Sequence, residues 1–389
     1  CTWLALSPLA AAQPAIEDVA SARHRYGPVS VTPRFSVTDV GVDTNVFNAV
    51  QNADADFVAT FRPASDLWFQ SGRWQATART QVGANFFSRF ASERSADTDN
   101  RVWAAGRAGR VTLSTTAMFL STRDRISPEI DARVRHLERA VGAGIDVRVG
   151  ARTHLRTTVD HLTTHYSDNA AVRSYAEALN RTNNSVMAAM RYRVTPLTTV
   201  VFEGSQQQSR FVYVNARDAD SVSLMSGLEF ARGALLSGRG VMGYRRIDFR
   251  SRTMPDFSGI AAAIDVGYMF QTATKFALKA DRDVEYSFEF QEPYYVSTGL
   301  ALNVVNQATD RWSVMGSLSR RRLGYRAAQA AISITPRTDH LTITRLGVGY
   351  RIAPRIRAEL TAGYQRRSSQ RLDRRYSGAR VGFATFFEF

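Results

Sequence analysis

The residues that come closest to a catalytic or metal-binding set are three histidines, His154, His161 and His165, together with Asp160. Imidazole nitrogens and a carboxylate could bind a metal ion or serve as an acid–base pair. We interpret the spacing as placing the three histidines on one face of a strand, spread over most of its length, so that they do not converge on one ion. Interfacial or loop histidines are therefore favoured, and the sequence predicts no metal site.

No established motif supplies a nucleophile or a nucleotide site. The sequence lacks HExxH, GxSxG, a Walker loop and a glycine-rich dinucleotide fingerprint after a strand. The single cysteine, Cys1, excludes a disulfide framework and a cysteine-based metal cluster. We predict that the chain is not an enzyme, has no catalytic residues and needs no cofactor. An outer-membrane hydrolase is the enzymatic alternative, but no residue stands out as its nucleophile.

Arginine supplies the more prominent chemistry. Lys and Arg total 50 against 35 Asp and Glu, which gives a net charge of +15, and Lys275 and Lys279 are the only lysines. The arginines are scattered along the whole chain and do not gather in one arm or helix face, which disfavours nucleic-acid binding. Guanidinium groups bind carboxylate and phosphate bidentately, so a pore wall for anions is the functional interpretation. The neutral interpretation is that codon usage in a GC-rich genome causes the high arginine content.

The elements that must position these arginines are strands, because apolar and polar residues alternate with period two. From Trp74 to Phe86, one face carries Trp, Ala, Val and Phe, while the other carries Gln, Thr, Arg and Asn. The same alternation recurs in Val141–Val149, Val186–Val194 and Ile356–Tyr364. An uncharged apolar face opposite a charged polar face is typical of a strand between lipid and water. No run of about 18 apolar residues occurs, which excludes a helical membrane span.

Short turns alternate with longer polar segments along the chain. Outer-membrane barrels have this asymmetry, with short periplasmic turns and long extracellular loops. Eight short turns join nine hairpins, which predicts an all-β fold, a closed transmembrane antiparallel up-and-down β-barrel of 18 strands, with 16 as the second choice. The predicted short turns lie near Gly72, Gly109, Gly150, Pro196, Gly233, Ala273, Ala308 and Pro354, and the predicted long loops are Ser92–Asn100, Arg123–His136, Ser167–Asn180, Ser251–Ser258, Arg326–His340 and Ser368–Arg375.

The basic residues that the alternation places on the inner face are the candidate pore lining. Asp146, Asp160, Asp265 and Glu359 are expected to be partial partners of these residues. The alternative is that opposed charges form ladders that only rigidify the barrel. The predicted lining residues are Arg62, Arg79, Arg107, Arg148, Arg156, Arg191, Arg193, Arg246, Lys275, Lys279, Arg345, Arg351, Arg357 and Arg380.

The segment from Tyr376 to Phe389 predicts a last strand that ends on a phenylalanine. This pattern resembles the C-terminal signal that outer-membrane proteins present to the barrel-assembly machinery, and Phe383, Phe387 and Phe389 would carry it. A run of phenylalanines at the end of a soluble chain would be an aggregation hazard, which weakens the soluble alternative.

The N-terminal residues predict a targeting segment. TWLALSPLAAA, at residues 2 to 12, has the apolar run and small residues of a secretory signal peptide. We expect residues 1–13 to be a residual signal peptide, 14–26 a periplasmic N-terminal segment, and 27–389 the transmembrane barrel. A lipidated Cys1 is the alternative, although an apolar run follows it and no lipobox precedes it.

Two segments carry a resemblance to a known family. GPVSVTPRFSVTDVGVDTNVFN (Gly27 to Asn48) resembles the opening strand, and DVEYSFEFQEPYYVSTGLALNV (Asp283 to Val304) a late hairpin, of the putative beta-barrel porin family of Gram-negative outer-membrane proteins. The resemblance covers most of the chain from about Gly27 onward, since the hairpin spacing also agrees. It implies an eighteen-stranded conduit in the outer membrane, often linked to exopolysaccharide or capsule export.

These observations predict an outer-membrane pore that passes anionic polysaccharide or other anionic solutes through a basic lumen. The expected partners are outer-membrane lipid and lipopolysaccharide, the barrel-assembly machinery, and periplasmic polysaccharide export proteins or other envelope proteins, with no nucleic acid. A plugged structural or adhesive barrel within an envelope complex is the alternative, because period-two alternation cannot reveal loops that fold inward.

Overall fold

The computed structural model describes residues 24–125, 127–167, 174–231, 234–328 and 337–389, so the predicted signal peptide lies outside the described residues. Within these ranges the chain forms nineteen strands and one short helix, α1 (Ser174–Leu179). The strands are β1 (His24–Tyr26), β2 (Val29–Asp43), β3 (Asp56–Ser71), β4 (Trp74–Phe87), β5 (Ser95–Ala108), β6 (Val111–Thr122), β7 (Arg135–Arg148), β8 (Thr153–Ser167), β9 (Arg181–Thr195), β10 (Thr198–Phe211), β11 (Ala219–Phe230), β12 (Leu236–Phe249), β13 (Phe257–Phe270), β14 (Thr274–Tyr286), β15 (Tyr294–Gln307), β16 (Trp312–Arg326), β17 (Thr338–Ala353), β18 (Ile356–Ser368) and β19 (Tyr376–Glu388).

Each strand from β2 onward pairs antiparallel with the next, and β19 pairs with β2. This last pairing closes the sheet, so eighteen strands form an up-and-down barrel without a free edge. The three-residue β1 adds to β2 at one end and is not part of the closed wall. The prediction of 18 strands is therefore confirmed, and the second choice of 16 is not observed.

The short turns lie where the sequence predicts them. Gly27, Gly72 and Gly109 occupy turns with φ of +60°, +56° and +61°, a left-handed conformation that a residue without Cβ adopts without strain. The predicted turn residue Gly233 lies outside the described residues. At the opposite end, the loops are longer, but the boundary predicted at Ser92–Asn100 is wrong, because β5 already begins at Ser95. Polar residues there extend the strand above the membrane.

The lipid-facing and inner faces alternate along every strand. Leu224 in β11 is 67% exposed on the outside, whereas its neighbour Met225 points inward and is partly covered. A bilayer replaces the soluble core for such outward side chains. Among the described residues, no helix is long and apolar enough to cross a membrane.

A charge at the middle of the outer face should destabilise the barrel. Leu224→Arg is expected to lower the free energy of unfolding by about 2–4 kcal/mol, because the guanidinium would be transferred to the centre of the bilayer. Urea unfolding in lipid vesicles measures this difference. Met225→Arg is the matched control, because it places the same charge in the lumen. Equal losses for both variants would contradict the assignment of the two faces.

The hairpin formed by β14 and β15 leaves the wall of the barrel at the extracellular end. β13 and β14 pair from Phe270↔Thr274 up to Ala262↔Arg282, and beyond this point β14 pairs only with β15. The tip of this hairpin packs Tyr286 and Tyr294 against Phe249 and Phe257 of β12 and β13. Phe249 and Phe257 lie on inner faces, since Tyr244 and Ile260 are exposed on the outer faces of the same strands. The hairpin tip therefore bends into the lumen.

Candidate functional site in the barrel lumen

Many inward-facing basic residues are paired with carboxylates on the same wall. Arg79 Nε lies 2.6 Å from Asp66 Oδ1, and Lys279 Nζ lies 2.9 Å from Asp265 Oδ2. Other pairs reach across an intervening strand and connect β9 with β11, β12 with β14, and β14 with β16. These longer pairs are Arg191–Glu229 at 3.2 Å, Arg245–Asp283 at 2.7 Å and Arg321–Asp281 at 2.6 Å. The inner wall is therefore a charge ladder, with more carboxylates than the four that the sequence suggested.

Most predicted lining residues do lie on inner faces. Arg246 does not, and the prediction for this residue is wrong: it follows the exposed Tyr244 on the outer face of β12 and pairs with Asp248 there at 2.8 Å. Its neighbour Arg245 points inward instead. The remaining predicted residues, all inward, are Arg62, Arg79, Arg107, Arg148, Arg156, Arg191, Arg193, Lys275, Lys279, Arg345, Arg351, Arg357 and Arg380.

The acidic partners differ from the expected set in detail. Glu359 pairs with Arg357 at 2.9 Å, as one of the four expected partners. Asp146 instead contacts His154, with Nδ1 3.1 Å from Oδ1. Arg380 is held by Asp39, 3.3 Å away, and by Asp43, neither of which the alternation selected. Asp39 lies in a β-bulge of β2, where the period of two breaks, and Asp43 follows this bulge.

A second group of inward basic residues has no carboxylate partner among the described residues. Some of them, such as Arg62, Arg156 and Arg345, lie farther along their strands, whereas five are exposed and lie within two residues of the strand ends that meet the short turns. Carboxylates near this end include Glu229, which is engaged by Arg191, and the turn residue Asp310. Exposed turn arginines such as Arg73, Arg110 and Arg355 add to the charge. We call the five inward residues at the strand ends the mouth ring: Arg107, Arg148, Arg193, Lys275 and Arg351.

The mouth ring marks the periplasmic opening, since short turns lie on that side of such barrels. Its members come from β5, β7, β9, β14 and β17, which are spread around the circumference. Backbone pairing determines where each strand ends. Because side chains alternate between the two faces of a strand, each of these cations lies on the inner side of the opening. The five cations can attract anions, because the low dielectric of the surrounding lipid focuses their electrostatic field into the water-filled mouth.

The extracellular half of the lumen contains a loop that crosses it. This crossing loop, residues 123–134 with residue 126 outside the described part, joins β6 to β7. Its Ser127 Oγ lies 3.2 Å from the hydroxyl of Tyr295 on β15, and its Glu129 carbonyl accepts a hydrogen bond of 3.2 Å from Arg367 on β18. β15 is eight strands from β7, close to the opposite side of an eighteen-strand barrel. The loop can make these contacts only by passing through the lumen.

Glu129 is fully buried at the tip of the crossing loop. Its carboxylate accepts hydrogen bonds from Ser287 Oγ at 2.6 Å and from the backbone N–H of Phe288 at 3.1 Å, and Arg337 Nη2 lies 3.8 Å away. Burial raises the pKa of Glu129 to about 7, although these donors and the nearby guanidinium groups act in the opposite direction. The group that seats the loop therefore titrates near neutral pH.

An apolar core joins three loops above the membrane. Ile130 and Val134 of the crossing loop pack with Tyr175 and Leu179 of α1 and with Phe288 of the β14–β15 connection. The rings of Tyr175 and Phe288 meet edge to face with centroids 4.8 Å apart. Such packing excludes water from the contacts and holds the loops together. Together, the three segments form a plug.

Buried arginines tie the plug to the wall. Arg367 has its side chain fully buried and contacts Asp339 at 2.7 Å and Asp131 of the crossing loop at 3.0 Å. Arg217, in the β10–β11 loop, donates to the carbonyls of Ala178 at 3.1 Å and Glu289 at 2.8 Å. The alternation pattern singles out neither residue. Their signal was weak, because one follows another arginine and the other lies in a loop without periodicity.

The interpretation of the histidines as sharing one face is wrong. Residues separated by an odd number lie on opposite faces of a strand, so His154 points inward, while His161 and His165 take the outer parity of β8. His161 Nδ1 lies 2.7 Å from Asn184 Oδ1 on the neighbouring strand. Among the described residues, no group of His, Cys, Asp and Glu could hold a metal ion.

Comparison with known proteins gives a family match and several structural likenesses. Residues 22–387 match the model of a family described as Putative beta-barrel porin 2. OccK2 (OpdF) of Pseudomonas aeruginosa is 9% identical with a TM-score of 0.51, covering 92% of this chain and 98% of that one. OccK3 (OpdO) of the same organism is 13% identical with a TM-score of 0.49, covering 92% and 95%. The comparison with curated proteins found no match. At such identities the likeness supports the barrel fold alone.

Proposed function

Because this chain belongs to the Putative beta-barrel porin 2 family and lies in the Gram-negative outer membrane, we propose that it is a non-enzymatic channel for anionic polysaccharide export or anionic solutes. The mouth ring is the observation that carries this proposal. Its five cations are exposed, point inward and lack carboxylate partners among the described residues, whereas many of the cations deeper in the wall, such as Arg79 and Arg245, are paired. A chain carrying carboxylate or phosphate groups would meet free cations first at the periplasmic opening.

The position of the free charge favours export over uptake. Paired cations deeper in the lumen have little net field, so they do not trap an anionic chain that must move on. Periplasmic export proteins would deliver the polymer to this opening. The barrel-assembly machinery would recognise Phe383, Phe387 and Phe389, and Phe383 and Phe389 are 44% and 54% exposed on the outer side.

The plug supports a second candidate function. A barrel whose extracellular half is filled by packed loops could serve as a scaffold or adhesin within an envelope complex, since the loops also form its outer surface. The two functions differ in the response to an anionic polymer at the periplasmic side. A channel requires the plug to move, whereas a scaffold requires it to stay.

Neutralising the mouth ring is expected to reduce anion selectivity. The triple variant Arg148→Gln, Arg193→Gln and Arg351→Gln should shift the anion-to-cation permeability ratio toward equal permeability, because the removed charges face the opening. Planar-bilayer recordings under a salt gradient measure this ratio. They should be made in the native chain and in a variant that lacks the crossing loop, so that a closed plug does not hide the result.

The matched control removes a pair and leaves the net charge unchanged. Arg191→Gln combined with Glu229→Gln deletes an inner ion pair of 3.2 Å, and this variant should keep the selectivity of the parent. An anion selectivity that survives in the triple variant would contradict the mouth ring as the selective element. Absence of current even without the crossing loop would favour the scaffold.

A further inference from the structure

The outer wall of β14 to β18 carries four arginines in the extracellular halves of these strands. Arg320 and Arg322 follow Leu318 on β16, which is 53% exposed and marks the outward parity of that strand. Arg366 follows Tyr364 on β18, which is 50% exposed on the same outer surface. Arg282 continues the outward row of Leu278 on β14. We call these four residues, Arg282, Arg320, Arg322 and Arg366, the arginine patch.

The register of the strands brings the arginine patch together. Arg320 lies opposite Thr342 of β17, which lies opposite Arg366 of β18. Arg322 lies opposite Thr298 of β15, which lies opposite Arg282 of β14. Neighbouring strands are about 4.8 Å apart, so each of these arginine pairs straddles one strand at roughly 10 Å between backbones. Long, flexible side chains can therefore converge on one ligand from two sides.

Within the part of the chain that the structure describes, the arginine patch has no acidic partner. Among the described residues, no carboxylate lies within ion-pair distance of any of the four, and residues 329–336, outside the described part, contain no Asp or Glu. Arg282 donates instead to Thr298 Oγ1 at 2.9 Å and to a backbone carbonyl. Some outward arginines elsewhere are neutralised on the wall itself, as Arg210 is by Asp220 at 2.6 Å. The patch is therefore a local excess of positive charge.

The arginine patch lies at the outer edge of the apolar band. Trp312 begins β16 at the periplasmic interface, and the strand rises about 2.5 Å per residue when tilted by about 40°. Arg320 and Arg322 then lie roughly 20–25 Å above Trp312, at the top of a band about 25 Å tall. Exposed leucines, Leu318 and Leu346 at 53% and 63%, cover the band below. Cations sit above a surface suited to acyl chains.

We propose that the arginine patch binds the phosphate groups of lipopolysaccharide in the outer leaflet. The lipid A part of this glycolipid joins anionic phosphates to several acyl chains, which matches guanidinium groups placed directly above exposed leucines. Each guanidinium can hold a phosphate with two parallel hydrogen bonds, and the low dielectric beside the bilayer strengthens the attraction. The proposal concerns the outer wall and does not depend on whether the lumen conducts.

Binding of defined lipids to the full chain in detergent tests the proposal. Native mass spectrometry and a fluorescence titration with bisphosphorylated lipid A should show saturable binding. The triple variant Arg320→Gln, Arg322→Gln and Arg366→Gln should bind at least about tenfold more weakly, because several charge-assisted hydrogen bonds are lost. Lipid A with one phosphate should bind more weakly than the bisphosphorylated form, and millimolar inorganic phosphate should compete poorly because it lacks acyl chains.

Arg210→Gln combined with Asp220→Asn is the matched control, since it removes an outward arginine that is already paired. This variant should bind lipid A like the native chain. The heat-dependent gel shift of a folded barrel verifies that each variant is folded before the titration. Equal affinity of the native chain and the arginine triple variant for bisphosphorylated lipid A would overturn the proposal. Full competition by inorganic phosphate would assign the patch to a soluble anion and also overturn it.

Discussion

Deleting the crossing loop is expected to raise the single-channel conductance by roughly an order of magnitude, because the barrel around it is wide. Eighteen strands about 4.8 Å apart and tilted by about 40° give a backbone diameter of roughly 35 Å, which leaves an aqueous channel unless loops fill it. The crossing loop reaches Tyr295 and Arg367 on the far wall and supplies Ile130 and Val134 to the apolar core of the plug. A short Gly–Ser linker in place of residues 124–134 removes all of these contacts.

Planar-bilayer recordings of the deletion variant against the native chain measure the effect. Shortening the β12–β13 connection at residues 251–254 is the matched control, because this loop lies beside the wall and contributes only Met254 at the margin of a different cluster. The control should keep the native conductance. If the deletion leaves the conductance unchanged while the barrel remains folded, the β14–β15 hairpin tip would have to close the lumen without the crossing loop.

The strands could be predicted because two solvents act on them. Lipid on one side and water on the other impose a period of two, and this pattern alone indicates the hairpins and most inward arginines. The error at Arg246 has the same origin, since Arg245 and Arg246 are adjacent and the alternation had to choose between two basic residues. Ion pairs such as Arg321–Asp281, 40 residues apart, depend on register and were beyond the pattern.

The plug could not be predicted from the sequence, because its residues pack against one another. No boundary between lipid and water imposes a period on them. Glu129, Phe288 and Tyr175 come from three connections that are far apart in the chain, and their contacts follow no period. A faint signal was present: the segment predicted as a polar loop at Arg123–His136 contains Ile130 and Val134, apolar residues that a solvated loop does not need. Apolar residues in long barrel loops are therefore worth examining as inward-packing segments.

The plug is expected to be most stable below about pH 5 and to loosen as the pH rises through 7. Glu129 has an ordinary pKa of 4.5 when the loop is released and about 7 when the loop is seated. Below pH 4.5 it is protonated in both states and contributes no difference. Between these values, Glu129 loses its proton in the released loop but keeps it in the seated loop. Seating therefore becomes less favourable with rising pH. The full change is about 3 kcal/mol, or roughly 300-fold in the equilibrium between the two states.

Open probability recorded in bilayers from pH 4 to 8 measures this dependence, and the native chain should open more often at the alkaline end. Glu129→Gln should stay closed across the range, because an amide oxygen can still accept from Ser287 and Phe288 but carries no charge to desolvate. Arg337 and Arg217 face the same pocket and remain charged throughout, so they cannot supply the transition. His154→Gln separates the plug from the lumen histidine: this variant should keep the dependence. A native chain that opens more often toward pH 4 would contradict the role of Glu129, since protonation must favour the seated loop.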